Sequence, residues 1–215
     1  MIKVLLADDE DLVRSGLRSI LTSAGDIEVV AECDDGAHVA DLVRLHRPHV
    51  VLLDIRMRTT DGIVALNRVM ELADPPAVAM LTTFDVDEYV QKALRLGANG
   101  FLLKDTEPTQ LVNAVRDLAR GGAVLDPNVA ARVIAAMADG QRAAEPARKL
   151  LSSLSGRELE VVALIGQGMS NAEIGNTLHL SEATVKGYVS SVLGKIGAAN
   201  RVQAALVAYR GGLIG

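Results

Sequence analysis

Apolar residues in the first 125 positions follow two alternating rhythms. Short runs at 2–7, 27–31, 49–53, 77–81 and 98–103 are rich in β-branched residues and have the length of strands buried on both faces. Between them, segments 12–21, 37–45, 62–72, 86–96 and 111–119 carry apolar residues at helical spacing. Five strand–helix units in strict alternation predict an α/β fold, a five-stranded parallel doubly wound sheet with helices on both faces. Chemistry in such a sheet belongs at the carboxyl ends of its strands.

The rhythm then changes. Leu125-Asp126-Pro127 predicts a turn into an alanine-rich helix over 128–137, and 139–146 reads as linker, with a helix boundary expected near Pro146. This gives a first domain at 1–125, a linker with one helix at 126–149, and a second domain at 150–215. From Leu151 the pattern is wholly helical. Ser155 with Glu158 and Ser170 with Glu173 form capping boxes, and Ser181 caps a third helix in which Val185, Val189, Val192 and Ile196 share one face. A fourth helix is expected from Arg201 to Tyr209. Four helices, two of them joined by a tight turn, predict a helix-turn-helix unit.

Composition narrows the picture. With two Phe, three Tyr and no Trp, the cores must be built from Leu, Val, Ile and Ala. The single cysteine, Cys33, permits no internal disulfide and suits a reducing compartment. No apolar run approaches the roughly 20 residues needed to span a bilayer, and no signal peptide is expected, so a cytoplasmic location with no membrane partner is anticipated. Charge is uneven. Residues 1–125 hold 20 Asp and Glu against 13 Lys and Arg, whereas 151–215 hold 4 against 5. The acidic part is unsuited to phosphate-backbone binding, and the helical part is only faintly basic.

Asp8 and Asp9 follow the first predicted strand, Asp54 ends the third, Thr82 follows the fourth and Lys104 the fifth. If neighbouring strands bring these ends together, three carboxylates share one rim, and a hard divalent cation is the simplest compensation. A hydroxyl and an ammonium beside them could hold phosphoryl oxygens, with Asp54 as nucleophile. Taken alone, Asp8 and Asp9 would read as caps of the next helix and Lys104 as a solvated surface lysine. The joint placement is the specific signal.

With Asp8-Asp9, Leu52-Leu53-Asp54-Ile55-Arg56-Met57, Asp61-Gly62, Thr82-Thr83 and the run Gly97 to Asp105, residues 2–122 resemble the receiver domains of two-component response regulators. The resemblance implies that a sensor histidine kinase passes a phosphoryl group to Asp54. It implies Mg²⁺ held by Asp9, Asp54 and the backbone carbonyl of Arg56, with Asp8 acting through water. Thr82 and Lys104 would bind the phosphoryl oxygens, and Phe101 would turn inward as Thr82 moves. Arg58 departs from the family pattern, which has proline there. Its expected effect is on phosphoryl lifetime or kinase choice.

Residues 151–213 resemble the C-terminal helix-turn-helix domain of the LuxR/NarL type, through Leu154-Ser155, Arg157-Glu158, Glu160-Val161, Gly168 to Asn171, Glu173-Ile174, Leu180-Ser181, Thr184-Val185-Lys186, Val189, Lys195-Ile196 and Arg201 to Ala204. The resemblance implies that the helix after Ser181 enters the DNA major groove, supported by the helix from Asn171. Lys186 is the candidate for a base or phosphate contact, Thr184 for a phosphate at the helix N-terminus, and Lys195 and Arg201 for the DNA backbone. Gly187 and Ser190 are outward positions where relatives place larger or basic side chains. Few cations per copy imply that a homodimer on paired half-sites is needed for useful affinity. Apolar residues of 201–209 could supply its surface, and RNA polymerase is a further expected partner.

Two other readings compete. A phosphatase using Asp54 would need a second carboxylate two residues on, where Arg56 stands, so the chain is not expected to be an enzyme acting on external substrates. A phosphorylation-independent DNA-binding regulator or adaptor would retain the acidic rim without cycling.

Overall fold

The computed structural model describes residues 1–82, 87–125 and 144–214. They form two compact units, one built on Met1–Ala119 and the other on the helices from Ala144 onward.

In the first unit, β1 (Ile2–Ala7), β2 (Ile27–Cys33), β3 (Val50–Asp54), β4 (Ala77–Thr82), β5 (Gly100–Leu103) and β6 (Val124–Leu125) form one parallel sheet in the order β2-β1-β3-β4-β5-β6. The expected five strands gain a sixth. It is two residues long, pairing Gly100 with Val124 and Phe101 with Leu125, too short to leave a period in the sequence. Val4, Leu5, Leu6, Leu52 and Leu53 are fully buried, because helices cover both faces. These helices are α1 (Asp11–Ser23), α2 (Val39–His46), α3 (Gly62–Met70), α4 (Asp87–Leu96) and α5 (Pro108–Ala119). Leu17 and Leu21 of α1 and Leu111, Val115 and Leu118 of α5 join the strand residues in one core.

The second unit contains α6 (Ala144–Leu151), α7 (Gly156–Gly166), α8 (Asn171–Leu178), α9 (Glu182–Ile196) and α10 (Arg201–Arg210). Both expected capping boxes are formed, and Ser181 and Asn200 cap α9 and α10. The four helices expected after Leu151 are α7 to α10, and α6 precedes them. The linker expected over 139–146 runs into the first turn of α6, where a proline breaks no helical hydrogen bond. Ala147 and Leu151, four residues apart, bury α6. The predicted alanine-rich helix at 128–137 and the position of Thr83 lie outside the described residues. Val185, Val192 and Ile196 of α9 are buried as their spacing predicted, and Val189 is half-buried.

The turn between α8 and α9 has no slack. His179 ends α8 in the left-handed conformation at φ 56°, and Leu180 N–H returns to Gly175 O at 2.8 Å. A Cβ on Gly175 would lie 2.8 Å from Leu180 O, so only glycine lets the turn close this tightly. Among the described residues, no helix is long and apolar enough to cross a membrane.

Candidate functional site: an acidic rim and a helix-turn-helix

Parallel pairing places the ends of β1, β3, β4 and β5 on one rim. Ala7 pairs with Leu53, Asp54 with Leu81 and Thr82 with Leu103. Asp8 is fully buried, Asp54 and Thr82 nearly so, and Lys104 N–H donates to Thr82 O at 2.9 Å. The five residues chosen as strand ends are therefore brought to one edge.

Lys104 is the hub. Its ammonium lies 3.0 Å from Asp54 Oδ2, 2.8 Å from Glu10 Oε1 and 3.1 Å from Asp8 Oδ2. Glu10 was not anticipated, since a glutamate before a helix reads as part of its first turn. Burial pushes the Asp54 carboxyl up to about 6, against the opposing hydrogen bond from Lys104. For Lys104, burial works against the charge, but hydrogen bonds to Glu10 and Asp54, with the Asp8 carboxylate close by, outweigh it and hold the ammonium above its ordinary range.

The carboxylates of Asp8, Asp9 and Asp54 each offer an oxygen within 4.8 Å of the others, a set that could coordinate a divalent metal. Asp8 Oδ2 is buried and has no hydrogen-bond partner, its approach to Lys104 being close but poorly aligned. An unsatisfied buried carboxylate oxygen beside two more carboxylates fits a hard cation. Arg56 is exposed, and its N–H donates to Asp54 Oδ1 at 3.3 Å. Arg58, also exposed, lies 3.4 Å from Asp9 Oδ2. Gly62 holds the far side. A Cβ there would sit 2.0 Å from Asp54 O, so α3 can begin this close to the acceptor strand only with glycine. Phe101 is fully buried in β5.

In the second unit, Thr184, Lys186, Gly187 and Ser190 all lie exposed on α9. Lys186 forms no ion pair among the described residues. The Thr184 hydroxyl is 2.8 Å from Ser181 Oγ, and Ser190 Oγ donates to Lys186 O at 3.0 Å. A Cβ at Gly187 would meet open space. Two expected contacts are placed differently. Arg201 is 5% exposed, and its guanidinium donates to Met169 O and, at 3.1 Å, to Asn171 Oδ1. Burial draws it down to about 10, and it ties α10 to the start of α8 instead of facing outward. Lys195 is half-exposed, with its ammonium 2.8 Å from Glu158 Oε2. Nothing in a linear sequence separates a basic residue that turns inward from one that faces solvent.

Residues 4–116 match the response regulator receiver domain family, and residues 152–208 match the luxR family of bacterial regulatory proteins. The chain belongs to the LuxR/NarL-type two-component response regulators. It is 38% identical over 213 residues to the uncharacterised transcriptional regulatory protein YxjL of Bacillus subtilis, covering 99% of this chain and 97% of that one. Against the transcriptional regulatory protein LiaR of the same organism it is 35% identical over the whole of both chains. Among solved structures, the response regulator ChrA of a heme-sensing two-component system is 37% identical, with 99% and 98% of the two chains covered and a TM-score of 0.55. Receiver domains of this family act as phosphoacceptors, and a regulator of this architecture binds DNA.

Proposed function

We propose that this regulator takes a phosphoryl group onto Asp54 from a sensor histidine kinase and, as a homodimer, binds promoter DNA carrying paired half-sites. The observation that supports this most is the convergence of Asp8, Asp54 and Lys104 on one rim, with an Asp8 oxygen left unsatisfied. An Asp54 oxygen attacks the phosphorus of a phosphohistidine. A P–O bond forms, the P–N bond breaks, and the electron pair leaves with the imidazole nitrogen. Lys104 holds charge that builds on the phosphoryl oxygens, together with the Thr82 hydroxyl. Mg²⁺ would be held by Asp9, Asp54 and the Arg56 carbonyl, with Asp8 through water, and when bound supplies neutralisation of the developing charge. Thr82 and Phe101 then carry the switch, from the end of β4 to the core of β5. Arg58, paired with Asp9, tunes phosphoryl lifetime or kinase choice.

On the DNA side, α9 enters the major groove and presents Thr184, Lys186, Gly187 and Ser190. One exposed unpaired lysine gives little affinity per copy, so two copies on paired half-sites act together. Tyr209, 56% exposed on α10, belongs to the surface offered to the second copy. RNA polymerase is the partner through which a bound dimer would act.

The test is to incubate the protein with Mg²⁺ and a small phosphodonor, then follow intact mass and DNA binding against Asp54→Asn. A mass gain lost in the variant, with tighter DNA binding only in the phosphorylated protein, is expected. A mass gain without any change in DNA binding overturns the coupling. No mass gain at all favours a phosphorylation-independent regulator, a reading to which the Arg58–Asp9 pair lends some support.

A further inference from the structure

Glu158 opens α7 with a side chain only 6% exposed, and both its oxygens are engaged. Oε2 accepts from Ser155 N at 2.9 Å and Ser155 Oγ at 2.8 Å, which completes the capping box. A capping box needs nothing more. Glu173 shows this in the same unit, accepting from Ser170 N at 2.7 Å and Ser170 Oγ at 2.8 Å, with no further donor among the described residues. Glu158 has two more partners, both from α9. Ser191 Oγ donates to Oε1 at 2.9 Å and Lys195 Nζ to Oε2 at 2.8 Å. Residues 191 and 195 are one helical turn apart and reach the same carboxylate.

We propose that Glu158 anchors α9 on the start of α7, and that Lys195 is a positioning residue that acts on DNA binding through this anchor and not by touching a phosphate. The proposal rests on the reading that α9 is the groove-facing helix. Its physical basis is the cost of the alternative. If Lys195 moved to a phosphate, the Glu158 carboxylate would stay buried without its cation, which is strongly unfavourable. Beside the apolar core they share, the two helices are joined by polar bonds at the carboxylate that also caps α7, so loss of the anchor loosens the groove-facing helix while the cap itself persists.

Two measurements on the full chain test this, with Lys195→Gln, Glu158→Gln, their double variant and Lys186→Gln as comparator. Lys195→Gln keeps the capping box and so the folded state. In hydrogen exchange, each single substitution at the anchor should speed the slow amides of α9 about tenfold. The double variant should add little beyond either one, because both remove the same interaction. DNA binding is then followed by anisotropy across KCl concentrations, using a duplex of about 30 base pairs of arbitrary sequence, room for two half-sites. Lys195→Gln should weaken binding with its salt slope unchanged, whereas Lys186→Gln should lower the slope by about 1 per subunit. Unchanged α9 exchange in Lys195→Gln overturns the proposal, as does a slope loss equal to that of Lys186→Gln. Failure of the groove-facing reading looks different. Lys186→Gln would then leave duplex binding untouched, while exchange alone still decides for or against the anchor.

Discussion

Two buried carboxylates, Asp54 in the first unit and Glu158 in the second, occupy opposite electrostatic conditions. Glu158 has four donors on its two oxygens, and the bond from Lys195 leads in holding its carboxyl down to about 2. Asp54 shares one ammonium with Asp8 and Glu10, and burial lifts it to about 6. A carboxylate with several donors spread over both oxygens is structural. One that is buried, crowded by like charge and short of donors is poised to take an electrophile or a cation. The same functional group becomes scaffold or reagent according to how many donors its neighbours supply.

The largest test of this contrast is to remove the hub. Lys104→Met leaves the rim carboxylates without their cation and should lower unfolding free energy by about 3 kcal/mol at pH 7, read from urea midpoints without divalent ions. Millimolar Mg²⁺ should restore part of that loss. If it restores none, the rim is not a cation site.

Asp54→Asn should act in the opposite direction. An acid whose folded value is raised binds more protons folded than unfolded, so it costs stability above its unfolded value of 3.8, fully so above about 6. The variant should therefore gain about 1–3 kcal/mol at pH 7 without Mg²⁺, a gain that fades as pH falls below about 6 and is gone below about 3.8. Equal stability of the two proteins at pH 7 would show that the carboxylate carries no strain. Glu158 reverses the sign. Its lowered folded value means a contribution present above 4.5 and lost as pH falls towards 2. Exchange protection of α7 and α9 should fall through that window in the wild type and not in Glu158→Gln.

The smallest effect concerns the outward face of α9. Gly187→Arg projects into open space and should tighten DNA binding about fivefold near physiological salt, steepening the salt slope by about 0.9 per subunit. An unchanged slope would mean that this face does not lie along phosphates.

Much of this was legible in the chain. Strand-length apolar runs placed Asp8, Asp54, Thr82 and Lys104 at strand ends, and a strand order with β1 beside β3 then brings those ends together. Serine–glutamate spacing located both capping boxes. What the sequence hid depends on where side chains end. Glu10 reaches back to Lys104 only because α1 starts beside the rim, and Arg201 turns inward to Met169 and Asn171 although it looks like any surface arginine. Helix α6 was obscured by a proline whose position in the first turn makes it harmless. Strand β6 was too brief to carry a pattern.

The close turn at Gly175 has a consequence for how such a regulator can diverge. With Leu180 O held against the Gly175 backbone, the angle between α8 and α9 is fixed by main-chain contact. Outward residues of α9 can then be exchanged without re-aiming the helix. New operator preferences become accessible through single surface substitutions on an unchanged chassis, while a side chain at Gly175 would redirect every one of them at once.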